Sequence, residues 1–450
     1  MAVKYGRGVE WIFSLGKFGQ KPGLSRISHI MERLDNPQDK VNYVHVAGTN
    51  GKGSTSAYLA EILKEAGFKV GLFTSPFMET FNERININGE NIEDDELESL
   101  IQEVKPIALD ERLHSIYGHP TQFEIVTAIA FLYFARKNTD IVILEVGLGG
   151  RLDATNLIVP EVSVITNIAL EHTDVLGETV EEIAMEKAGV IKPGVPVVTT
   201  IEEDDALKVV ERKAAELDSP VYKMDTDFWF EFYDSNLKGQ FFDYIGLRGN
   251  KINSLEISLL GYHQLKNASL AVAVMEVLSE LDYEITMKSI KRGLKKASCP
   301  GRMEIFNDDP LILLDASHNL EGIRSLSKEI RRNFTEDKDI IILLGVLEDK
   351  EVRKMLSEVL PLATEVILTT PDNPRAKEPN KLLKDALEFI SEDYIRVEEE
   401  IQMATEKALE YIRSARNKDK DRALVCCGSF FLVSPVRNYL KKVKTNFKFD

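Results

Sequence analysis

The feature that most constrains the fold is a series of short, unbroken apolar runs separated by segments of helical periodicity. VNYVHVA (41–47), KVGLF (69–73), DIVILEVG (140–147), EVSVITNI (161–168) and VPVVTT (195–200) are rich in β-branched residues and too short for buried helices. Continuous apolar runs of this kind are strands covered on both faces, as in parallel sheets. STSAYLAEILKEAGF (54–68), FEIVTAIAFLYFARKN (123–138) and a segment near Glu178–Ala188 read as the intervening helices. The alternation predicts a doubly wound α/β sheet. FWFEFYD, QFFDYIGLRG and SLEISLL, between Phe228 and Leu260, break the pattern and read as a small β appendage. A helix over His263–Leu281 then returns to the first domain, and CPGRME (299–304) reads as a hinge with Pro300-Gly301 as breaker. LILLD, DIIILLGV, EVILTT and ALVCCG open a second, smaller Rossmann-like α/β series. The expected domains are 1–299 and 300–450, without internal repeats.

A chain of 450 residues has ample material for two or three cores. With 56 Lys plus Arg against 73 Asp plus Glu, its net charge of −17 argues against a general nucleic-acid binder. An anionic substrate must then be met by a local cluster of basic residues. Cys299, Cys426 and Cys427 form no disulfide framework. No apolar run approaches the roughly 18 residues of a membrane span, and MAVKYGRGVEW lacks a signal-peptide core. The expectation is a cytoplasmic protein that binds neither nucleic acid nor membrane.

The first strand runs into AGTNGKGST (47–55), a Gly-rich loop opening a helix. A helix start with unpaired N–H groups is an anion site, so Gly48, Thr49, Asn50, Gly51, Lys52, Gly53 and Ser54 are the candidate phosphate cradle. The loop departs from G-x-x-x-x-G-K-[ST]. Its spacing is short, and Gly53 follows Lys52 where the Mg²⁺-binding hydroxyl belongs. Ser54 could replace that hydroxyl one residue late. Ser75, in FTSPF after the next strand, is better placed, because neighbouring parallel strands release their loops at one sheet edge. Glu145 and His172 end strands at the same edge and complete a candidate metal set, although Mg²⁺ prefers oxygen ligands to a His.

HVAGTNGKGST, TSPF…NERI, EVGLGGRLDATN, EHTDVLG, EKAGVIKPG, GYHQLKNA, PGRMEIF, DASHN, GVLEDK and PRA occur in that order. Together they resemble the folylpolyglutamate synthase/dihydrofolate synthase family of the Mur ligase superfamily, over about Gly23 to Val433. The resemblance implies ATP and Mg²⁺ at two sites. Ser75, Glu145 and His172 would hold one ion, and a carbamylated Lys187 would supply anionic oxygens for the second. It implies contacts from Asn267, Arg302 and Asp315 to ATP, with Asp315 and His318 closing over the nucleotide. It places glutamate near His318, Arg375 and Ser429, gives Arg84 to the substrate and pairs Asp153 with a pterin edge. It also suggests a monomer. TSPF and DASHN replace the usual TSPH and DGAHN, which puts any folate-side role of that histidine in doubt at Phe77.

The implied chemistry is amide synthesis. A folate or dihydropteroate carboxylate attacks the γ-phosphate of ATP, and L-glutamate attacks the resulting acyl phosphate. Lys52, Lys187, His318 and Asp315 are the candidate catalytic residues. Two alternatives remain at this level. One is a ligase acting on another acceptor, such as a methanopterin-like or peptidoglycan precursor. The other is a nucleotide-switch ATPase that forms no bond.

Overall fold

The computed structural model describes residues 5–16, 23–334, 338–413 and 421–446, so the first four residues of the N-terminal stretch lie outside the described residues. The chain divides into two compact units. The first comprises Met1–Asp234, Phe241–Ser258 and Leu265–Ser298; the second comprises Ser235–Gln240, Leu259–Gln264 and Cys299–Asp450.

The first unit holds an eight-stranded sheet. Its strands are β1 (Asn42–Ala47), β2 (Val70–Phe73), β3 (Ile85–Ile87), β4 (Glu90–Asn91), β5 (Ile141–Glu145), β6 (Val162–Ile165), β7 (Val197–Thr199) and β8 (Val221–Lys223), in the order β4-β3-β2-β5-β1-β6-β7-β8. All pairings are parallel except the two at the β3–β4 edge. β5 and β6 are buried at every position, as strands covered on both faces must be. Val46 lies opposite Glu145, Ala47 opposite Ile165 and Phe73 opposite Leu144. The carboxyl ends of β2, β5, β1 and β6 are therefore level, and their loops emerge side by side.

The helix Gln122–Lys137 is apolar all round and buried from Glu124 to Phe134. It starts at a capping box, with Thr121 and Glu124 exchanging side-chain and backbone bonds. The Phe131 ring meets Tyr43 edge to face at 5.9 Å. Truncating such a buried ring costs about 3–5 kcal/mol.

The expected appendage is a three-stranded sheet of β9 (Trp229–Asn236), β10 (Gly239–Ile245) and β11 (Lys251–Ile257), ordered β11-β10-β9. The second unit carries β12 (Glu304–Asp308), β13 (Leu311–Leu314), β14 (Lys338–Leu344), β15 (Glu365–Leu368), β16 (Ile395–Val397) and β17 (Asp421–Cys427), ordered β12-β13-β17-β14-β15-β16. Only β12 is antiparallel. Its central strands are buried Leu, Ile, Val and Cys side chains. The doubly wound α/β expectation is borne out in both units. Cys299, Cys426 and Cys427 are free thiols. Among the described residues no helix is long and apolar enough to cross a membrane.

Candidate functional site

The loop after β1 ends where the helix Lys52–Glu65 begins, with Gly51 at its N-cap in a left-handed conformation (φ 84°) that favours glycine. The loop is stapled to the segment after β6. Thr49 N donates to Asn167 O at 2.8 Å. Asn50 N donates to Asn167 Oδ1 at 2.7 Å, and Thr166 Oγ1 donates to Asn50 O at 2.6 Å. The Thr49 hydroxyl exchanges bonds with Ala169 O and N. The backbone N–H groups of Thr49 and Asn50 thus hold the loop's own shape. The N–H groups of Lys52 and Gly53, which a helix start leaves without an intrahelical partner, are the ones free of that duty and suited to an anion. Asn267, from the helix Tyr262–Glu280, lies against Gly51, where a Cβ would come within 2.5 Å of its Oδ1.

Two lysines converge on one oxygen. Lys52 Nζ donates to Gly48 O at 2.9 Å and to Thr49 O at 3.0 Å, and Lys187 Nζ donates to Gly48 O at 2.8 Å. Lys187 is the last residue of the helix Val180–Lys187 and only 4% exposed. Burial, and then the charge of Lys52, lower its pKa to about 7 against the opposing pull of Glu171 and Asp153. Across the β1 edge, Glu145 is buried at the end of β5, and its Oε2 accepts from Ser75 N at 3.0 Å. A carboxylate beside a serine offers hard oxygen donors, but few of them. Among the described residues no group of three or more His, Cys, Asp and Glu side chains could hold a metal ion. His172 follows β6 with its side chain 43% exposed and its Nε2 3.8 Å from Glu171 Oε1.

Arg84 is partly buried, its guanidinium 5.3 Å from the Phe77 ring centre and 5.7 Å from that of Phe81. Its Nε has no hydrogen-bond partner among the described residues, and burial lowers its pKa to about 10. Asp153 is engaged within its own turn, where it accepts from Leu148 N, Thr155 N and Thr155 Oγ1. Burial raises its pKa. Thr155 Oγ1 also lies 2.8 Å from Nε2 of His45, a fully buried imidazole in the middle of β1.

In the second unit the expected residues leave the carboxyl ends of neighbouring strands. Asp315 follows β13, and its carboxylate accepts from Met303 N and Ser317 N at 2.8 and 2.9 Å. Ala316 N donates to Gly301 O at 2.7 Å, which ties this turn to the Gly301-Arg302 segment. His318 Nδ1 lies 3.0 Å from Ala316 O, so Nδ1 carries the hydrogen and Nε2 is the basic nitrogen. Ser429 follows β17, buried, and its hydroxyl accepts from Phe431 N. Arg375 is half-exposed and pairs with Asp349 at 3.1 Å.

The sequence reading missed Thr166, Asn167 and Asn156. Thr166 and Asn167 directly follow β6, the strand-end signal that singled out Glu145; Asn156 lies in the short helix Ala154–Leu157, eleven residues past β5, where no such signal marks it.

The Mur ligase middle domain family matches residues 46–275, and the Mur ligase glutamate ligase domain family matches residues 301–430. A dihydrofolate synthase/folylpolyglutamate synthase of Bacillus subtilis is 38% identical over 446 residues, covering 98% of this chain and 100% of that protein. The crystal structure of folylpolyglutamate synthase from Thermotoga maritima superposes with a TM-score of 0.84 at 36% identity, over 97% of this chain and 96% of that one. A Mycobacterium tuberculosis folylpolyglutamate synthase complexed with ADP and AMPPCP gives 0.88 at 30% identity, over 96% and 97%. On its Gly-rich loop, its two α/β units and these matches along nearly its whole length, the chain belongs to the folylpolyglutamate synthase/dihydrofolate synthase family of Mur ligases.

Proposed function

We propose that this protein is an ADP-forming ligase that joins L-glutamate to the carboxylate of a folate or dihydropteroate acceptor through an acyl phosphate. The observation that carries this reading is the convergence of Lys52 and Lys187 on Gly48 O, at the sheet edge where Glu145 and Ser75 meet. This is a site for polyphosphate in a chain whose relatives carry both synthase names.

Lys52 and the N–H groups at the helix start orient the phosphates and neutralise charge as the γ-phosphoryl group moves. Bound Mg²⁺ supplies further positive charge there. Glu145 and the Ser75 hydroxyl would hold it, with His172, on the segment after β6, as the third proposed ligand. So sparse a protein donor set fits an ion that keeps water and phosphate as most of its ligands. A second ion needs another anionic donor, for which we propose a carbamate on Lys187. A neutral amine adds CO₂ and releases a proton, and an amine with a pKa of about 7 is substantially neutral at physiological pH. Arg84, packed over two aromatic rings, is the proposed anchor for the acceptor's negative charge. Asn267, Arg302 and Asp315 are the proposed ATP contacts. Arg375 and Ser429 are the proposed glutamate contacts, and His318 Nε2 is suited to take the amine proton. Asp153 serves its own turn first, and any pterin contact uses what acceptor capacity remains. The free thiols fit a cytoplasmic setting.

The test is ADP release with ATP and Mg²⁺ present, supplied with glutamate alone, acceptor alone or both. Release only with both is expected. Equal release without glutamate would favour the nucleotide-switch alternative.

A further inference from the structure

We infer that Asn156 is a positioning residue that fixes Lys187 against the phosphate loop, acting through two backbone carbonyls. The inference rests on the reading of Lys187 as part of the reaction machinery. Asn156 is 6% exposed. Its Nδ2 donates to Arg151 O at 3.1 Å and to Gly189 O at 3.0 Å. One carbonyl belongs to the turn that follows Glu145, and the other lies two residues beyond Lys187. The Oδ1 of the same side chain is buried without a partner among the described residues. An orphaned buried carbonyl costs about 1–3 kcal/mol. An apolar residue would avoid that cost, so the paired donors are what the position retains.

The two segments it joins are already in backbone contact. Arg151 N donates to Glu186 O at 2.8 Å. A Cβ on Gly150 would come within 2.8 Å of Glu186 O and 3.0 Å of Lys187 O, and one on Gly189 would collide with the Arg151 backbone. Lys192 Nζ adds a bond to Asn156 O at 3.2 Å. The outer Arg151–Glu186 ion pair at 2.7 Å involves an Arg side chain 54% exposed, so it adds little. Lys187 itself forms no ion pair among the described residues; its Nζ reaches Gly48 O. With no direct ion pair to locate the amine, its place is set by the chain on either side, and Asn156 is a side chain that pins that chain.

The test is a kinetic double-mutant cycle on the full-length enzyme, with Asn156→Ala, Asn156→Ser and Lys187→Ala. Asn156→Ala is expected to lower kcat about 10–100-fold, the scale of an ångström-sized misplacement, with KM for glutamate within about twofold. Asn156→Ser keeps one donor and is expected to recover part of the loss. It carries the test if the Ala variant does not fold. Amide hydrogen exchange in a peptide spanning residues 186–191 should quicken at least about tenfold while the Lys52–Glu65 helix is unchanged. In the Lys187→Ala background the Asn156 change should cost less than about twofold more. If the two losses multiply, or exchange at 186–191 is unaltered, the inference is overturned while Lys187 keeps its role. If Lys187→Ala alone retains full activity, the reading of Lys187 fails, and this inference fails with it.

Discussion

Replacing Lys187 by Met is expected to stabilise the protein at neutral pH while removing its activity. Lys187 is buried, and its pKa falls from an ordinary 10.5 to about 7 through burial first and the charge of Lys52 second. Because the folded value lies below the unfolded one, the unfolded chain binds more protons between about pH 7 and 10.5. Native stability therefore rises with pH through that window, and the deficit is full below pH 7. About 3.5 units at about 1.36 kcal/mol per unit sets a ceiling near 5 kcal/mol. Met keeps the stem's packing but gives up the hydrogen bond to Gly48 O, worth about 1 kcal/mol. A gain of up to about 4 kcal/mol at pH 7 remains, shrinking to nothing by about pH 10. The assay is thermal unfolding of both proteins at pH 7, 8, 9 and 10 in CO₂-free buffer. A stability difference that does not change with pH, or a Met variant less stable at pH 7, would refute the reasoning.

Ser75→Ala is expected to raise the Mg²⁺ concentration for half-maximal turnover about tenfold, and Ser54→Ala far less; the reverse order in a Mg²⁺ titration would move the ligand into the loop. Arg84→Met is expected to raise the acceptor KM about 10–100-fold without lowering the melting temperature, since it removes a buried charge; an unchanged KM would take Arg84 out of the acceptor site. His45, whose pKa burial lowers to about 3, binds its proton in the unfolded chain first, so wild-type stability drops as pH falls from about 6.5 toward 3. His45→Leu should remove about 3 kcal/mol of that loss at pH 4.5, and melting curves with the same acid slope in both proteins would count against it.

The parallel strands were legible because burial on both faces forces continuous apolar runs, as in β5 and β6. The strands β3, β4, β8, β12 and β16 were not. They lie at or next to sheet edges, several are three residues or fewer, and half-exposed positions carry no run. The loop with Lys52 was readable from its glycines between strand and helix, and Ser75 from the vacancy at Gly53. The polar frame behind the loop was not. Asn167 works through its backbone oxygen as well as its side chain, and Asn156 by grasping two carbonyls. Backbone partners leave no pattern in side-chain types. Asp153 carries a second duty that the motif did not show: besides the ligand contact it suggested, the carboxylate closes its own turn.

The carbonyl oxygen that Lys52 and Lys187 share has a consequence for the order of assembly. Around Gly48 O, two amines share one neutral acceptor, and any proton on Lys187 sets a second positive charge beside Lys52. An anion arriving there eases the repulsion on Lys187 and favours its protonated form. Reciprocally, whatever takes the proton from Lys187 weakens the hold on that anion by the same factor. CO₂ reacts only with the unprotonated amine. The proposed carbamate would therefore form more readily before the nucleotide enters, and nucleotide bound first to the unmodified protein would delay that modification.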